Sequence, residues 1–420
     1  MRSSADRLTA ARLLMRVDGG AFSSRLLAGG ASPAVRARVM ETLRWQGSAD
    51  ALLQKRCKRR LDALDAEVRT TLRLGLVEVM RLEVPPALAT DSAVRLVRRL
   101  GKSSAAGMVN AVLRAAAASW KDDLARRPLS ERLAHPRWIV DRWTEHYDTE
   151  ATAMALQADQ ERALTWAWFG ADSARTDLEE AGVDLQPHPW CPDCWRSASG
   201  ASDLIAAARA GWVYIQDPSS QLVARTAAAL APKAPAFVDV CAAPGGKSAL
   251  LGKLLERPLA IAADRSLQRL HVMRTGELTA SISNLVVADA GRPPLVEESW
   301  PLVLVDAPCT GTGTFRRHPE LKWRLRPQSV REMAEVQRRL LDASLALVAP
   351  DGLLLYTTCS IEPEENEKLV AQLPAGFEVE EIGPHLPAGV PWIPTTAGGA
   401  RVLPHLDGDG FTMHALRRIQ

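Results

Sequence analysis

Phe237-Val238-Asp239-Val240-Cys241-Ala242-Ala243-Pro244-Gly245-Gly246-Lys247-Ser248 is the stretch on which the reading of this chain turns. An apolar run ends at Asp239 and Cys241, a Pro-Gly-Gly turn follows, and residues 248–255 carry a helical pattern. Strand, tight loop and helix in that order are the grammar of a nucleotide-binding α/β unit. Gly245 and Gly246 lack a Cβ and tolerate positive φ, so their N–H groups can face a ligand carboxylate or phosphate at the helix N-terminus. The loop is not a Walker A loop, because its Gly-Lys-Ser lacks the earlier glycine, and it is not a Gly-x-Gly-x-x-Gly fingerprint. Alone, it specifies a nucleotide-like cofactor and no more.

Outward from this stretch, strands and helices alternate from about Tyr214, which predicts a doubly wound parallel sheet. The segment from Gln216 to Leu222 caps a helix that leads to the first strand, Phe237 to Val240. The second, Leu259 to Ala263, ends at Asp264; the third, Leu285 to Ala288, at Asp289; the fourth, Leu302 to Val305, at Asp306. A fifth, Gly352 to Thr357, stops just before Cys359. Ligands lie outside the carboxyl ends of such strands. Asp264 suits hydrogen bonds from ribose hydroxyls and Asp289 one from an adenine amino group. With the glycine loop they describe an adenosyl-cofactor site, without distinguishing S-adenosylmethionine from other adenosine ligands. The short interval between Asp264 and Asp289 predicts a trimmed helix.

Two strand ends carry thiols. Asp306-Ala307-Pro308-Cys309-Thr310-Gly311-Thr312-Gly313 follows the fourth strand and Thr357-Thr358-Cys359-Ser360 the fifth, so both sulfurs are expected at the cofactor crevice. A thiol pair suits one chemical difficulty. Cytosine C5 is a poor nucleophile, but thiolate addition at C6 makes the ring an enamine whose C5 attacks an activated methyl group. A base near the ring must then remove the C5 proton so that the thiolate leaves. Asp306 is placed to hydrogen-bond the exocyclic amine or N3, and Lys247 to lower a thiolate pKa or act at the pyrimidine. This chemistry does not say which cysteine attacks.

Upstream, residues 1–128 read as a helical bundle, with Val39, Leu43, Leu52, Leu53, Leu72, Leu76, Val79 and Met80 at three- and four-residue spacing. Residues 129–215 read as a small bridging α/β domain and 216–420 as the catalytic domain. Within the bridge, His188, Cys191 and Cys194 suggest a metal cluster, but one Cys-x-x-Cys without a second pair is a weak signal, and a structural role with no metal is expected.

Charge is unevenly distributed. Residues 1–130 hold 24 Lys and Arg against 12 Asp and Glu, while the rest hold 28 against 37. A basic module joined to an acidic one points to a polyanionic partner held by the first. Arg316, Arg317, Lys322 and Arg324, with His318 and Arg326, crowd the segment after Cys309 and are expected to contact RNA phosphates, with Trp323 packed inward. No apolar run approaches the roughly 20 residues that span a bilayer, and six scattered cysteines argue against a disulfide framework. A cytoplasmic monomer is the expectation.

The motifs carry a resemblance. Asp239 through Lys247, Asp306 through Gly313, Thr358-Cys359-Ser360 and Pro363-Glu364-Glu365-Asn366-Glu367 resemble the RsmB/Nol1/Nop2/Sun family of RNA 5-methylcytosine methyltransferases. Glu41-Thr42-Leu43-Arg44, Leu72-Arg73-Leu74-Gly75 and Val109-Asn110-Ala111-Val112-Leu113-Arg114 resemble the NusB-like RNA-binding domain of its RsmB-type members. The resemblance implies an α/β Rossmann-like class I methyltransferase domain preceded by an all-α NusB-like bundle and a small α/β bridge, acting on small-subunit ribosomal RNA. It implies that Cys359 attacks and Cys309 aids release. It also implies that Cys241, Ala242, Ala243, Pro244, Gly245, Gly246 and Lys247, with Asp264, Asp289 and Asp306, bind S-adenosyl-L-methionine. DNA cytosine methyltransferases use a Pro-Cys thiol as nucleophile, and by that analogy Cys309 would attack. Phe411 stands alone where the family often has a second aromatic. A transfer RNA substrate, or a binding-only assembly factor, are the alternatives; the intact thiols, Asp306 and glycine loop argue against the second.

Overall fold

The computed structural model describes residues 2–256, 258–276, 278–279, 282 and 284–419. By packing, the chain divides into two compact units: Met1–Arg162 with Phe315–Arg324, and Ala163–Thr314 with Leu325–Gln420. This differs from a three-way division at 128 and 215. The helices Arg137–Tyr147 and Thr149–Ala158 belong to the first unit, and the small α/β region belongs to the second.

In the first unit the long helices are Arg2–Asp18, Pro33–Gln54, Ala66–Arg81, Pro86–Arg99 and Ala106–Ala125. Pro33 and Pro86 sit in first turns, where a missing N–H costs nothing, and Ser32 caps the second of these helices through the Val35 N–H at 3.2 Å. Leu52, Leu53, Leu72, Leu76, Val97, Val109 and Leu113 form the core. Gly75 is needed for close packing: a Cβ there would lie 2.9 Å from Leu113 Cδ1 and 3.3 Å from Ala93 Cβ. Glu78, 1% exposed, is neutralised by Arg7 at 2.8 Å and Arg38 at 2.7 Å. A buried carboxylate without such partners would cost several kcal/mol, roughly.

The second unit holds two sheets. Strands β1 (Ala167–Phe169), β2 (Leu185–Pro187), β3 (Trp195–Ser197) and β4 (Val213–Ile215) form a small antiparallel sheet in the order β2-β3-β1-β4. The large sheet contains β5 (Ala236–Asp239), β6 (Leu259–Asp264), β7 (Asn284–Val287), β8 (Trp300–Asp306) and β9 (Val348–Thr358). These five run parallel in the order β7-β6-β5-β8-β9. Strand order reverses between β5 and β8, so a crevice opens there at the carboxyl ends. Leu302–Val305 and Leu353–Thr358 are fully buried, as central strands covered on both faces require.

The sheet is mixed rather than purely parallel. Strands β10 (Phe377–Glu380), β11 (Trp392–Pro394), β12 (Ala400–Val402) and β13 (Phe411–Arg418) extend it, β13 pairing antiparallel with β9 from Thr412↔Thr358 to Arg417↔Leu353. The helix after β6 is the nine-residue Leu267–Thr275, in line with a short interval. Part of the connection onward to β7, at 277, 280–281 and 283, lies outside the described residues.

Candidate active site

The loop after β5 has the geometry its glycines suggest at one of the two positions. Gly245 sits at φ +102°, where an L side chain is strained, and a Cβ would fall 2.7 Å from Met273 Cγ. Gly246 begins the helix Gly246–Leu254 at negative φ; its lack of a Cβ is needed because Tyr214 Cε1 would lie 2.4 Å away. Asp239 organises the loop from below, accepting from the Cys241 N–H at 3.2 Å and from Ser248 Oγ at 2.6 Å. Burial raises its carboxyl pKa to about 7, and it is 1% exposed. Burial likewise pushes the Cys241 thiol up, so it is held protonated.

A cavity of about 680 Å³ lies at the strand ends, within the roughly 300–1,000 Å³ usual for small-molecule sites. Cys241, Asp264, Asp289, Asp306, Cys309 and Cys359 line it together. Asp264 is oriented by the Ser266 N–H at 2.8 Å and by Arg269 at 3.2 Å. Asp289 accepts the Gly291 N–H at 2.9 Å. Each carboxylate is therefore held by its own turn and faces one space, and together they fit an adenosyl cofactor. A larger cavity of about 1060 Å³ lies in the first unit. Its cations are already paired, Arg73 with Asp50 at 2.7 Å, Arg60 with Asp62 at 2.6 Å and Arg137 with Asp141 at 3.3 Å, so it offers no net positive charge to a ligand.

Two further pairs complete the site. Cys309 Sγ and Cys359 Sγ are 3.1 Å apart, a hydrogen bond between unbridged sulfurs. That bond, with burial, pushes the Cys309 thiol well above its ordinary range, so Cys309 is held protonated. Lys247 Nζ donates to Asp306 Oδ2 at 2.6 Å and lies 5.0 Å over the Phe411 ring. Burial opposes its charge, but Asp306 outweighs it and Lys247 is raised overall. Gly313 and Gly410 join backbone to backbone beside this pair, the Gly410 N–H donating to Gly313 O at 2.7 Å. A Cβ on Gly313 would sit 2.3 Å from Gly410 O.

The basic segment after Cys309 is placed differently from the expected phosphate clamp. Phe315–Arg324 packs as part of the first unit. Arg316 is 2% exposed and Lys322 fully buried. Lys322 Nζ donates to Arg44 O at 3.0 Å, Arg324 to Val17 O at 2.8 Å and Ala21 O at 2.5 Å, and Trp323 Nε1 to Leu43 O at 3.1 Å. Trp323 also fills the space over Gly47, where a Cβ would meet its ring at 2.4 Å. Lys322 and Arg324 thus act as internal fasteners to backbone carbonyls, and Arg316 is buried beside them. Trp323 packs inward, as the sequence reading held. The composition of the segment carried no signal of this burial, nor of Glu320, whose carboxylate accepts the Ser23 N–H and Oγ, each at 2.9 Å.

Lys322 provides a test. Burial lowers its pKa from 10.5 to about 7, against the opposing pull of Asp159. Between those values the unfolded chain binds more protons than the folded one, so its contribution to stability rises from about pH 7 towards 10. Lys322→Met should flatten that rise in melting experiments between pH 7 and 9.5 and leave RNA affinity unchanged. A weaker RNA complex whose salt slope falls by about 1 would restore the phosphate role.

His188, Cys191 and Cys194 also prove to be interior groups. His188 Nδ1 accepts the Cys191 N–H at 3.1 Å, and Gln221 Nε2 donates to Cys194 Sγ at 3.1 Å. Burial lowers His188 to about 4 and raises Cys194. Among the described residues, no group of three or more His, Cys, Asp and Glu is arranged to hold a metal ion, and no helix is long and apolar enough to cross a membrane.

A parallel sheet with acidic strand ends, a glycine loop and a cavity at its switch point defines the class I methyltransferase fold, with S-adenosyl-L-methionine as cofactor. The 16S rRNA methyltransferase RsmB/F family matches residues 227–417 and the NusB family residues 4–118. Ribosomal RNA small subunit methyltransferase B of Citrobacter koseri is 30% identical over 388 residues, 89% of this chain and 86% of its own. The same-named protein of Escherichia fergusonii is 30% identical over 383 residues, 88% and 86%. The crystal structure of PH0851 shares the fold over 98% of both chains at TM-score 0.76 and 22% identity. NSun6 from Pyrococcus horikoshii, solved with SFG, shares it over 68% of this chain and 98% of its own, at TM-score 0.57 and 18% identity. The chain belongs to the RsmB/F family of ribosomal RNA methyltransferases and is an RNA methyltransferase.

Proposed function

We propose that this enzyme methylates C5 of a cytosine in small-subunit ribosomal RNA through a covalent adduct between Cys359 and C6. The single observation that carries the reading is the Cys309–Cys359 sulfur pair, 3.1 Å apart on the wall of the strand-end cavity. The cofactor supplies an electrophilic methyl group. Asp264 and Asp289 receive its ribose and adenine donors, and residues 241–247 pass beneath its amino-acid end.

The proton on Cys309 supports the assignment of the nucleophile. Its hydrogen bond with Cys359 and burial hold Cys309 as the thiol, which makes it the poorer attacking group of the two. The Cys359 sulfur attacks C6, and the electron pair passes through the ring so that C5 takes the methyl group. A base then removes the C5 proton, the C5–C6 double bond re-forms and the C6–S bond breaks. Asp306, steadied by Lys247, holds the exocyclic amine or N3 during addition. Cys309 aids the release. Of the basic segment, Arg326 is exposed and Arg317 half-exposed, and phosphate contact falls to these positions.

The test is methyl transfer to small-subunit ribosomal RNA, with the product nucleoside identified by mass spectrometry. 5-Methylcytosine in that RNA is expected. Transfer to another base or atom, or to transfer RNA alone, would displace the reading; RNA binding with no transfer would favour the assembly-factor alternative.

A further inference from the structure

Glu365 is buried to 0% exposure six residues after Cys359, and the mechanism above does not use it. Its carboxylate is saturated. Oε2 accepts the Thr310 N–H at 2.9 Å and Gln337 Nε2 at 2.8 Å; Oε1 accepts Ser360 Oγ at 2.7 Å and the Thr310 hydroxyl. Thr310 follows Cys309 and Ser360 follows Cys359. Gln337 also donates to Pro308 O at 2.9 Å, gripping the residue before Cys309. Every one of these donors thus belongs to a residue beside a reactive sulfur or to the glutamine that holds one.

We propose that Glu365 is the positioning residue of the sulfur pair, tying the Cys309 and Cys359 loops together so that both thiols stand at one substrate base. The inference rests on the two-thiol reading of the site. Asn366 makes the complementary tie within one loop, accepting from Thr358 Oγ1 at 2.8 Å and donating to Ser360 O at 3.1 Å. Direct links between the loops are uncharged: the Gly313 N–H to Cys359 O at 3.0 Å, the Ile361 N–H to Thr312 Oγ1 at 3.1 Å, and Ser360 Oγ with Thr310 Oγ1 at 3.3 Å and Thr312 Oγ1 at 3.2 Å. One such bond is worth about 1 kcal/mol, whereas hydrogen bonds to a charged group are worth about 1.5–3 each, so the carboxylate dominates. Its charge also acts on chemistry, being among the influences that keep the proton on Cys309.

The two roles separate by substitution. In Glu365→Gln the amide nitrogen can face the two hydroxyls, which rotate to accept, while the amide oxygen keeps the two N–H donors. The tie survives and the charge is lost. Glu365→Ala loses both. The readout needs no RNA: mild oxidation with diamide, which takes two electrons and two protons from the thiol pair to form the Cys309–Cys359 disulfide, followed by peptide mass spectrometry.

Glu365→Ala is expected to form this disulfide at least about tenfold more slowly than the natural chain, and Glu365→Gln within about threefold of it. Cofactor affinity of the full-length alanine variant serves as the control for folding. A folded Glu365→Ala protein that oxidises at the natural rate, or a glutamine variant as slow as the alanine one, overturns the proposal. If the alanine variant does not fold, Ser360→Ala removes one tie, and a natural rate of disulfide formation there overturns it equally. Because the assay reports the proximity and ionisation of the two sulfurs and no chemistry on cytosine, its outcome stands apart from whether Cys359 attacks the base: an adduct experiment can fail while this one succeeds.

Discussion

Cys309→Ala is expected to remain bound to its RNA through a bond that survives denaturing electrophoresis, whereas Cys359→Ala forms no such species. The attacking thiol makes the adduct, so its loss abolishes both adduct and methyl transfer, by about 10³-fold or more as for other covalent nucleophiles. Loss of the second thiol leaves addition and methylation possible and slows elimination, so the intermediate accumulates. The sulfur pair explains why the effects are opposite in kind. At 3.1 Å the two sulfurs are hydrogen-bonded, and Cys309, held as the thiol by that bond and by burial, is the poorer nucleophile. Small-subunit ribosomal RNA, S-adenosyl-L-methionine and a gel-shift band sensitive to ribonuclease are sufficient for the measurement. A reversed pattern would give Cys309 the attacking role and make the Pro-Cys analogy with DNA enzymes the better guide.

Asp306→Asn should lower kcat by about 10²- to 10³-fold while cofactor affinity changes by less than tenfold. A single hydrogen-bonding group aimed at developing charge in a water-poor site commonly contributes that much. Asparagine preserves the shape and can still accept from Lys247 at the 2.6 Å position. It cannot present a negative charge to a cytosine whose ring gains a proton or hydrogen bond at N3. Alanine is a less informative choice, because it leaves the largely buried Lys247 cation without its carboxylate, a loss of up to about 3–5 kcal/mol in stability. Single-turnover rates with saturating cofactor separate the two roles. If the asparagine variant keeps its kcat and loses cofactor affinity instead, Asp306 belongs to the cofactor and not to the base.

The parallel half of the catalytic sheet was legible because each strand is an apolar run with a chemically distinct end. Asp264 and Asp306 fall at the last residues of β6 and β8, and Cys359 falls just after β9. Strands β10 to β13 were not called. In β13 the six residues from Phe411 to Leu416 are all buried, so no alternation separates one face from the other, and His414 among them and Arg401 in β12 are interior groups. Glu365 lay in a quoted motif, yet three of its four donors come from Thr310 and Gln337, 55 and 28 positions away.

By itself, the sequence determined the order of strand, glycine loop and helix, the acidic and thiol residues at the strand ends, and the helical character of the first hundred residues. These are local properties, readable from period and residue type over a few turns of chain. Only the tertiary structure decided that the sulfurs stand 3.1 Å apart, that Glu365 braces their loops, and that Lys322 is a fully buried lysine. Burial and charge state depend on what packs around a side chain, and the carbonyl that receives Lys322 belongs to Arg44, 278 residues earlier.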